Sequence, residues 1–146
     1  MKINKSKVQV KKQHYANKGY NDIFRFLSYQ HQIESITSLN PKTILEIGIG
    51  NKLVSTQLKN MGYKVTTCDF DPKLNPDVVG DIRNLPFKKN EFDAVVAFEV
   101  LEHLPFSDFE KALSEMKRIS KKNCIISLPY PCFNFNLALK FPLINK

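Results

Sequence analysis

The feature that most constrains the fold of this chain is the alternation of short apolar runs with amphipathic helical segments. Five runs have the length and the β-branched or aromatic content that are typical of strands. Strands that alternate with helices form a mostly parallel sheet with right-handed crossovers, which predicts a doubly wound α/β fold. The predicted strands are Thr43–Ile47, Lys64–Asp69, Val78–Val79, Phe92–Phe98 and Cys124–Leu128.

The segments between these runs carry helix signals at their ends. Asn21 or Asp22 can cap a first helix that Pro41 terminates, and Gly62 suits the end of a helix over Leu53–Met61. A third helix is predicted to begin with a capping box and to end near lysines that suit its negative end. Its residues are Ser107 and Glu110 in the capping box, Phe109, Ala112, Leu113, Met116 and Ile119 on the apolar face, and Lys121 and Lys122 at the end.

Composition places the chain among globular proteins of one domain, since 42% of its 146 residues are hydrophobic and 25% are charged. No apolar run approaches the ~20 residues that span a bilayer, and no apolar stretch follows the basic N-terminus as in a secretory signal. The three cysteines lack CxxC spacing, which argues against a zinc site or a disulfide framework. We therefore expect a cytoplasmic protein without metal ligands, in which Cys68 and Cys124 are small core residues.

The positive charge is uneven along the chain. The formal net charge is +8, and much of it lies in a basic arm over residues 1–20. Such an arm can bind nucleic acid or an anionic membrane, or it can be a solvated tail. Its lysines are not interleaved with aromatic residues, so it carries no firm nucleic-acid signal. The predicted domain spans residues 21–130, and an apolar and basic tail spans residues 131–146. The lysines of the arm are Lys2, Lys5, Lys7, Lys11, Lys12 and Lys18.

Glycines and acidic residues fall at successive carboxyl ends of the predicted strands, where open α/β sheets bind ligands. Gly48 and Gly50 follow the first strand and open a helix, so a ligand can approach the backbone and its free N–H groups. Asp69 ends the second strand, Asp81 follows the third and Glu99 follows the fourth. A single glycine turn or aspartate is commonly a turn or a helix cap, but four such positions in order indicate a ligand site.

Two common nucleotide fingerprints fit this site poorly. The dinucleotide fingerprint G-x-G-x-x-G/A would place its third small residue at Leu53, whose side chain would spoil the close packing of helix on strand. The P-loop pattern G-x-x-x-x-G-K-[ST] does not occur. A nicotinamide-dependent oxidoreductase is therefore disfavoured, although it stays open as an alternative.

Four segments resemble the successive motifs of class I S-adenosylmethionine-dependent methyltransferases of the type 11 kind, in the family's order and spacing. They are Glu46–Gly50, Cys68–Asp71, Gly80–Phe87 and Phe98–Leu104. The resemblance covers about residues 41–130. It implies a Rossmann-like fold, S-adenosyl-L-methionine as cofactor, and transfer of a methyl group to an unidentified acceptor, which we expect to be a small molecule.

The resemblance also implies a role for each matching residue. The turn at Gly48 and Gly50 would hold the methionine moiety of the cofactor, and Glu46 would orient that turn. Asp69 would accept hydrogen bonds from both ribose hydroxyls, and Phe70 would pack against the adenine face.

The later motifs imply contacts to the other parts of the cofactor. Asp81 would accept the adenine amino N–H, and the backbone of Ile82 would contact the edge of the ring. The backbone of Phe98 and Glu99 would lie near the cofactor's amino group or its sulfonium.

Methyl transfer to an acceptor needs no general acid, since the leaving group is a neutral thioether. Positioning of the acceptor can supply most of the acceleration. A base is needed only where the acceptor must lose a proton, and His103 is the best-placed candidate. Alternatively, His103 packs under the loop before Pro105. Tyr15 and Tyr20 would either cover the cofactor as a lid or anchor the first helix.

Two departures from the family pattern have consequences. The turn usually has a third glycine where this chain has Lys52, which puts full cofactor affinity in question. The family's sheet has seven strands, so we expect this sheet to be truncated after the fifth. That strand would be an open edge for self-association or a partner, unless the C-terminal tail covers it. An active methyltransferase and a binding module without catalysis both stay open.

Overall fold

The computed structural model describes residues 22–129, which form one sheet with helices packed on both of its faces. The helices are α1 (Ile23–Thr37), α2 (Leu53–Asn60) and α3 (Phe106–Ile119), with short 3₁₀ turns at Pro72–Leu74 and Leu101–His103. The strands are β1 (Thr43–Ile47), β2 (Lys64–Asp69), β3 (Val78–Val79), β4 (Phe92–Phe98) and β5 (Ser120–Ser127).

The five strands are ordered β3-β2-β1-β4-β5, and each strand runs parallel to its neighbours. From the central β1 the chain moves to one side for β2 and β3, and it returns to the other side for β4 and β5. Strand order therefore reverses between β1 and β4, and open α/β sheets have their ligand-binding crevice at this point, at the carboxyl ends of the strands. The predicted doubly wound, Rossmann-like fold is confirmed, with a sheet that has five strands over the described residues.

Alternation along β1 divides the core into two layers. Leu45 and Ile47 face the layer that α3 covers, whereas Ile44 faces the layer under α1 and α2. This division is what a parallel sheet buried on both faces requires. The helix residues that complete the layers are Ala112, Met116 and Ile119 of α3, and Ile33, Ile36, Val54 and Leu58 of α1 and α2.

Local signals account for several element boundaries. The carboxylate of Asp22 accepts the backbone N–H of Arg25 at 2.8 Å, which caps α1 as predicted. Gly62 follows α2 with a φ of +90°, the left-handed conformation that favours glycine at a helix end. The bounds of β1 to β4 are those predicted from the sequence.

The predicted start of α3 is wrong. The helix begins at Phe106 with Pro105 in the cap position, and no side chain caps it, so Ser107 lies inside the first turn. Pro105 has an extended ψ of 139°, so helical dihedrals begin at Phe106, one residue before the predicted cap Ser107. The predicted end is also shifted, because β5 begins at Ser120 and includes Lys121 and Lys122.

The prediction for the cysteines is half right. Cys68 is fully buried in β2, but Cys124 is exposed on β5. The reason is position, since β5 is the outer strand of the sheet over residues 22–129 and has one paired neighbour. Ile126 and Leu128 share this exposure, at 39% and 49%.

Some expectations lie outside the described residues. These are the basic arm with Tyr15 and Tyr20, and the C-terminal tail. Within residues 22–129, no helix is both long and apolar enough to cross a membrane.

Candidate functional site

The turn after β1 has an unusual backbone that leaves no room for a side chain at its first position. Gly48, Gly50 and Lys52 have φ values of +77°, +46° and +64°, all in the left-handed region. A Cβ on Gly48 would also overlap the side chain of Val100, which follows β4. Position 48 therefore requires glycine for its conformation and for the close approach of the β4 loop.

Asp69 connects the end of β2 to this turn. One carboxylate oxygen accepts the backbone N–H of Ile49 at 2.9 Å, and the other accepts the N–H of Asp71 at 2.9 Å. The side chain is buried, and this burial, with the nearby Asp71 carboxylate adding to it, raises its pKa. The predicted contact with the ribose hydroxyls stays a prediction.

Glu46 is a buried carboxyl directly below the turn, on the layer of α2. Burial raises its pKa to about 7, although hydrogen bonds with Ser55 oppose the shift. Its Oε2 atom is buried and has no hydrogen-bond partner among the described residues. A buried carboxyl oxygen without a partner, next to a glycine turn, can accept a hydrogen bond from an N–H group of the turn or attract a bound cation.

Asp81, at the end of β3, forms a forked ion pair with Arg83. The guanidinium donates through Nε to Oδ1 at 2.9 Å and through Nη2 to Oδ2 at 2.6 Å. Arg83 is 8% exposed, and its Nη1 also donates to Asp108 of α3 at 2.7 Å. These hydrogen bonds from Arg83 hold the pKa of Asp81 below its usual range, so Asp81 is an ionised acceptor.

Helix α1 lies across the carboxyl ends of β1 and β4. The Arg25 guanidinium donates to the Glu99 carboxylate at 2.9 Å, and the Asn51 amide donates to the Tyr29 hydroxyl at 3.0 Å. Glu99 has a φ of +53°, so the chain turns sharply at the end of β4. Burial raises the pKa of Glu102, and the Glu99 charge adds to this shift. The mouth of the crevice therefore carries carboxylates on the β4 side.

The remaining predicted residues differ in accessibility. Phe70 is 41% exposed beside Asp69, so its ring is accessible to a planar ligand. Ile82 is buried in the α3 layer, and Phe98 is half-buried against the α1 layer, which leaves their backbones for the predicted roles. His103 is exposed at the end of a 3₁₀ turn, so it does not pack under the loop before Pro105.

The sequence alone assigned no role to four residues that complete the site. Arg83 and Asp108 are 25 positions apart, so no local pattern joins them. Tyr29 contacts the turn from α1, 22 positions before Asn51. Asp71 is buried and accepts the N–H of Lys73, and its place before a proline was a readable cap signal.

No group of three His, Cys, Asp or Glu side chains within residues 22–129 has the arrangement of a metal site. Asp69 instead accepts hydrogen bonds from backbone N–H groups, and Asp81 and Glu99 accept them from arginines.

Comparison with known families identifies the class of protein that this fold and crevice define. The model of the family described as "Methyltransferase domain" matches residues 45–128, more than half of the chain. The chain belongs to this family of class I methyltransferases, which implies S-adenosylmethionine as methyl donor.

Curated relatives resemble only part of the chain. A demethylmenaquinone methyltransferase of Thermotoga maritima is 31% identical over 103 residues, which cover 62% of this chain and 44% of the relative. One of Corynebacterium efficiens is 33% identical over 86 residues, covering 53% of this chain and 36% of that protein. The chain thus spans less than half the length of the curated relatives it matches.

Solved structures share the fold. The PH0226 protein of Pyrococcus horikoshii gives a TM-score of 0.66 at 19% identity, covering 80% of this chain and 65% of that chain. A SAM-dependent methyltransferase of Archaeoglobus fulgidus gives 0.64 at 20% identity, covering 73% of this chain and 54% of its own. At these identities the likeness is one of fold alone.

Proposed function

We propose that the chain binds S-adenosylmethionine at the carboxyl ends of β1 to β4 and transfers its methyl group to a small-molecule acceptor. The observation that carries the proposal is the buried Asp69 carboxylate, which joins the glycine turn of β1 to the end of β2 in a member of a methyltransferase family. That junction is where the resemblance expects the ribose of the cofactor.

Three features of the crevice fit this cofactor. The left-handed turn at Gly48 lets a ligand reach the backbone, and no Cβ could be added there. The orphaned Oε2 of Glu46 leaves an acceptor and a negative partial charge below the turn, on the side that would face the methionine moiety. Asp69 and Asp81 offer two ionisable acceptors at neighbouring strand ends, and the ring of Phe70, next to Asp69 in the chain, is accessible.

Bound S-adenosylmethionine supplies an electrophilic methyl group on a sulfonium, with a neutral thioether as leaving group. In this proposal Asp69 and Asp81 would hold the nucleoside, and the turn at Gly48 would hold the methionine end. The backbone at Glu99 lines the mouth of the crevice. His103, which is exposed next to it, accepts a proton from acceptors that must lose one.

The methyl acceptor that we propose to test first is taken from the names of the relatives and not from the geometry of the site. Two curated relatives are named for demethylmenaquinone, so this is the first acceptor to test. A cofactor-binding module without catalysis is the second candidate, and the assay below separates the two. The oxidoreductase alternative gains no support, since Leu53 occupies the third position of the dinucleotide fingerprint and begins α2.

A transfer assay with methyl-labelled S-adenosylmethionine separates the two candidates. We expect label in demethylmenaquinone, and loss of transfer in Asp69→Ala. Binding of S-adenosylhomocysteine without transfer to demethylmenaquinone or to a panel of small phenols and amines would favour the binding module. Absence of binding would reject both.

A further inference from the structure

Two arginines fasten the loop between β3 and β4 (residues 80–87) to helix α3, and they do so differently. Arg118 donates to the carbonyl oxygens of Leu85 and Phe87 at 3.0 and 2.8 Å and pairs with Glu115 on its own helix. Arg83 comes from the loop itself, and it joins the carboxylate of Asp81 to that of Asp108. Arg118 therefore holds the backbone of the loop, whereas Arg83 holds one particular side chain.

The hydrogen bonds to Asp81 occupy most of its acceptor positions. Oδ1 accepts the backbone N–H of Arg83 and its Nε, each at 2.9 Å. Oδ2 accepts Nη2 at 2.6 Å and a longer contact from Nε at 3.2 Å. A carboxylate has about four lone-pair positions. The single Nε proton is shared between the two oxygens, so three protons occupy these positions. Oδ2 therefore has room for one more close donor, and the fork of Arg83 limits the direction from which that donor can approach.

The surroundings make this orientation rigid. A Cβ on Gly80 would lie 2.9 Å from the Cys68 sulfur and 3.0 Å from Pro86, so the loop is closely packed where Asp81 begins. The Asn84 N–H donates to the Asp81 carbonyl at 2.8 Å, which closes a tight turn around Arg83. Asp108, in the first turn of α3, anchors the outer nitrogen of the guanidinium.

We propose that Arg83 is a positioning residue for cofactor specificity: through its fork it orients the single free position of Asp81 Oδ2 toward an exocyclic amino donor, so that adenine is preferred over a 6-oxo purine. The inference rests on the proposed function, since it assumes that S-adenosylmethionine binds in this crevice. A purine with oxygen at position 6 has no donor there and places an acceptor against the carboxylate. Such a mismatch is discriminated where the carboxylate is held in place, and Asp81 is held by the buried Arg83.

The test is calorimetric titration with S-adenosylhomocysteine and S-inosylhomocysteine, which differ in the donor at position 6. We expect the unaltered chain to prefer the adenine compound by about tenfold or more. In Arg83→Met the preference should fall below about threefold, mainly because the adenine compound binds more weakly. Arg83→Lys should not restore it, because a lysine lacks the planar fork.

Arg118→Met is the matched control, because it removes the other arginine that joins the same loop to α3. It should lower stability and leave the preference unchanged. Asp108→Asn removes only the outer anchor of Arg83, and it should reduce the preference partly, which keeps the test available if Arg83→Met does not fold.

Three outcomes would overturn the inference. One is an unchanged preference in folded Arg83→Met and Asp108→Asn. Another is an equal loss of preference in Arg118→Met. The third is tighter binding of the adenine compound by Arg83→Met, which would mean that Arg83 competes with the ligand. Binding of neither compound by the unaltered chain would reject the proposed function itself.

Discussion

Strands β1 and β5 belong to the same sheet, but they differ in how completely it buries them. Four of the five residues of β1 are buried, whereas one of the eight residues of β5 is. The loop after β1 is tied to β2 through Asp69 and to α1 through Asn51. The turn after β1 is therefore held in place by neighbouring elements, while β5 exposes the apolar side chains of Ile126 and, just after it, Leu128.

The largest effect is expected at the turn after β1. Gly48→Ala combines left-handed strain with an overlap on Val100, so we expect a loss of about 2–4 kcal/mol of unfolding free energy and of measurable cofactor binding. Gly62→Ala is the matched control, because Gly62 has a φ of +90° with nothing within 4 Å of an added Cβ. It should cost only about 1 kcal/mol by chemical denaturation. Equal losses in the two variants would contradict the account of the turn.

A pH dependence is expected from Glu46. Its pKa is about 7 in the folded chain against an ordinary value of 4.5, so the folded state holds the proton more tightly. The resulting stabilisation of the folded state is fully present below the ordinary pKa of 4.5 and is lost as the pH rises through about 7. The total change in the free energy of unfolding is about 3 kcal/mol. Glu46→Gln should remove that slope from denaturation curves. The control Glu34→Gln, at an exposed glutamate, should keep the slope. An unchanged slope in Glu46→Gln would contradict its assignment to Glu46.

Asp69→Ala should weaken S-adenosylhomocysteine binding by roughly 1.5–3 kcal/mol, since a charged acceptor is lost. Asp93→Ala is the control at the opposite end of the sheet. The carboxylate of Asp93 also accepts two backbone N–H groups, from Lys42 at 3.0 Å and Thr43 at 2.9 Å. Asp93→Ala should lower stability without changing cofactor affinity in titration. A similar affinity loss in both variants would mean that Asp69 acts only through folding.

The exposed strand predicts self-association of the chain. Ile126→Lys places a charge on β5 and should reduce the mass measured by light scattering. Val79→Lys, on the other outer strand, should leave it unchanged because β3 pairs over only two residues. A monomeric unaltered chain would instead support coverage of β5 by the C-terminal tail.

The smallest effect is expected at Lys52. Its φ of +64° favours glycine, but its ammonium donates to the Asn75 carbonyl at 2.7 Å, so relief of strain is offset by a lost hydrogen bond. Lys52→Gly should change stability by less than about 1 kcal/mol, and cofactor affinity should stay equal or rise. A loss of more than tenfold in titration would show that Lys52 itself contacts the cofactor.

The parts of the fold that follow from local pattern were predictable. The strands β1 to β4 are apolar because the sheet is buried on both faces, so their bounds can be read from the sequence. The start of β5 could not be read from the sequence, because Ser120 to Asn123 are polar and pair irregularly with β4. The capping box was misread because Pro105 had already fixed the start of α3.

The candidate site was likewise predictable only in part. Glycine and acid positions at strand ends follow from the sheet, but their partners are set by packing of distant segments. Arg83 with Asp108 and Arg25 with Glu99 are separated by 25 and 74 positions, and no periodicity links such pairs.

The most direct test of the central claim is a titration of the unaltered chain with S-adenosylhomocysteine and, separately, with NAD. The account predicts saturable binding of S-adenosylhomocysteine that is at least tenfold tighter than that of NAD, because Leu53 occupies the position where the dinucleotide fingerprint needs a small residue. Tighter binding of NAD, or no binding of S-adenosylhomocysteine by the folded chain, would contradict it.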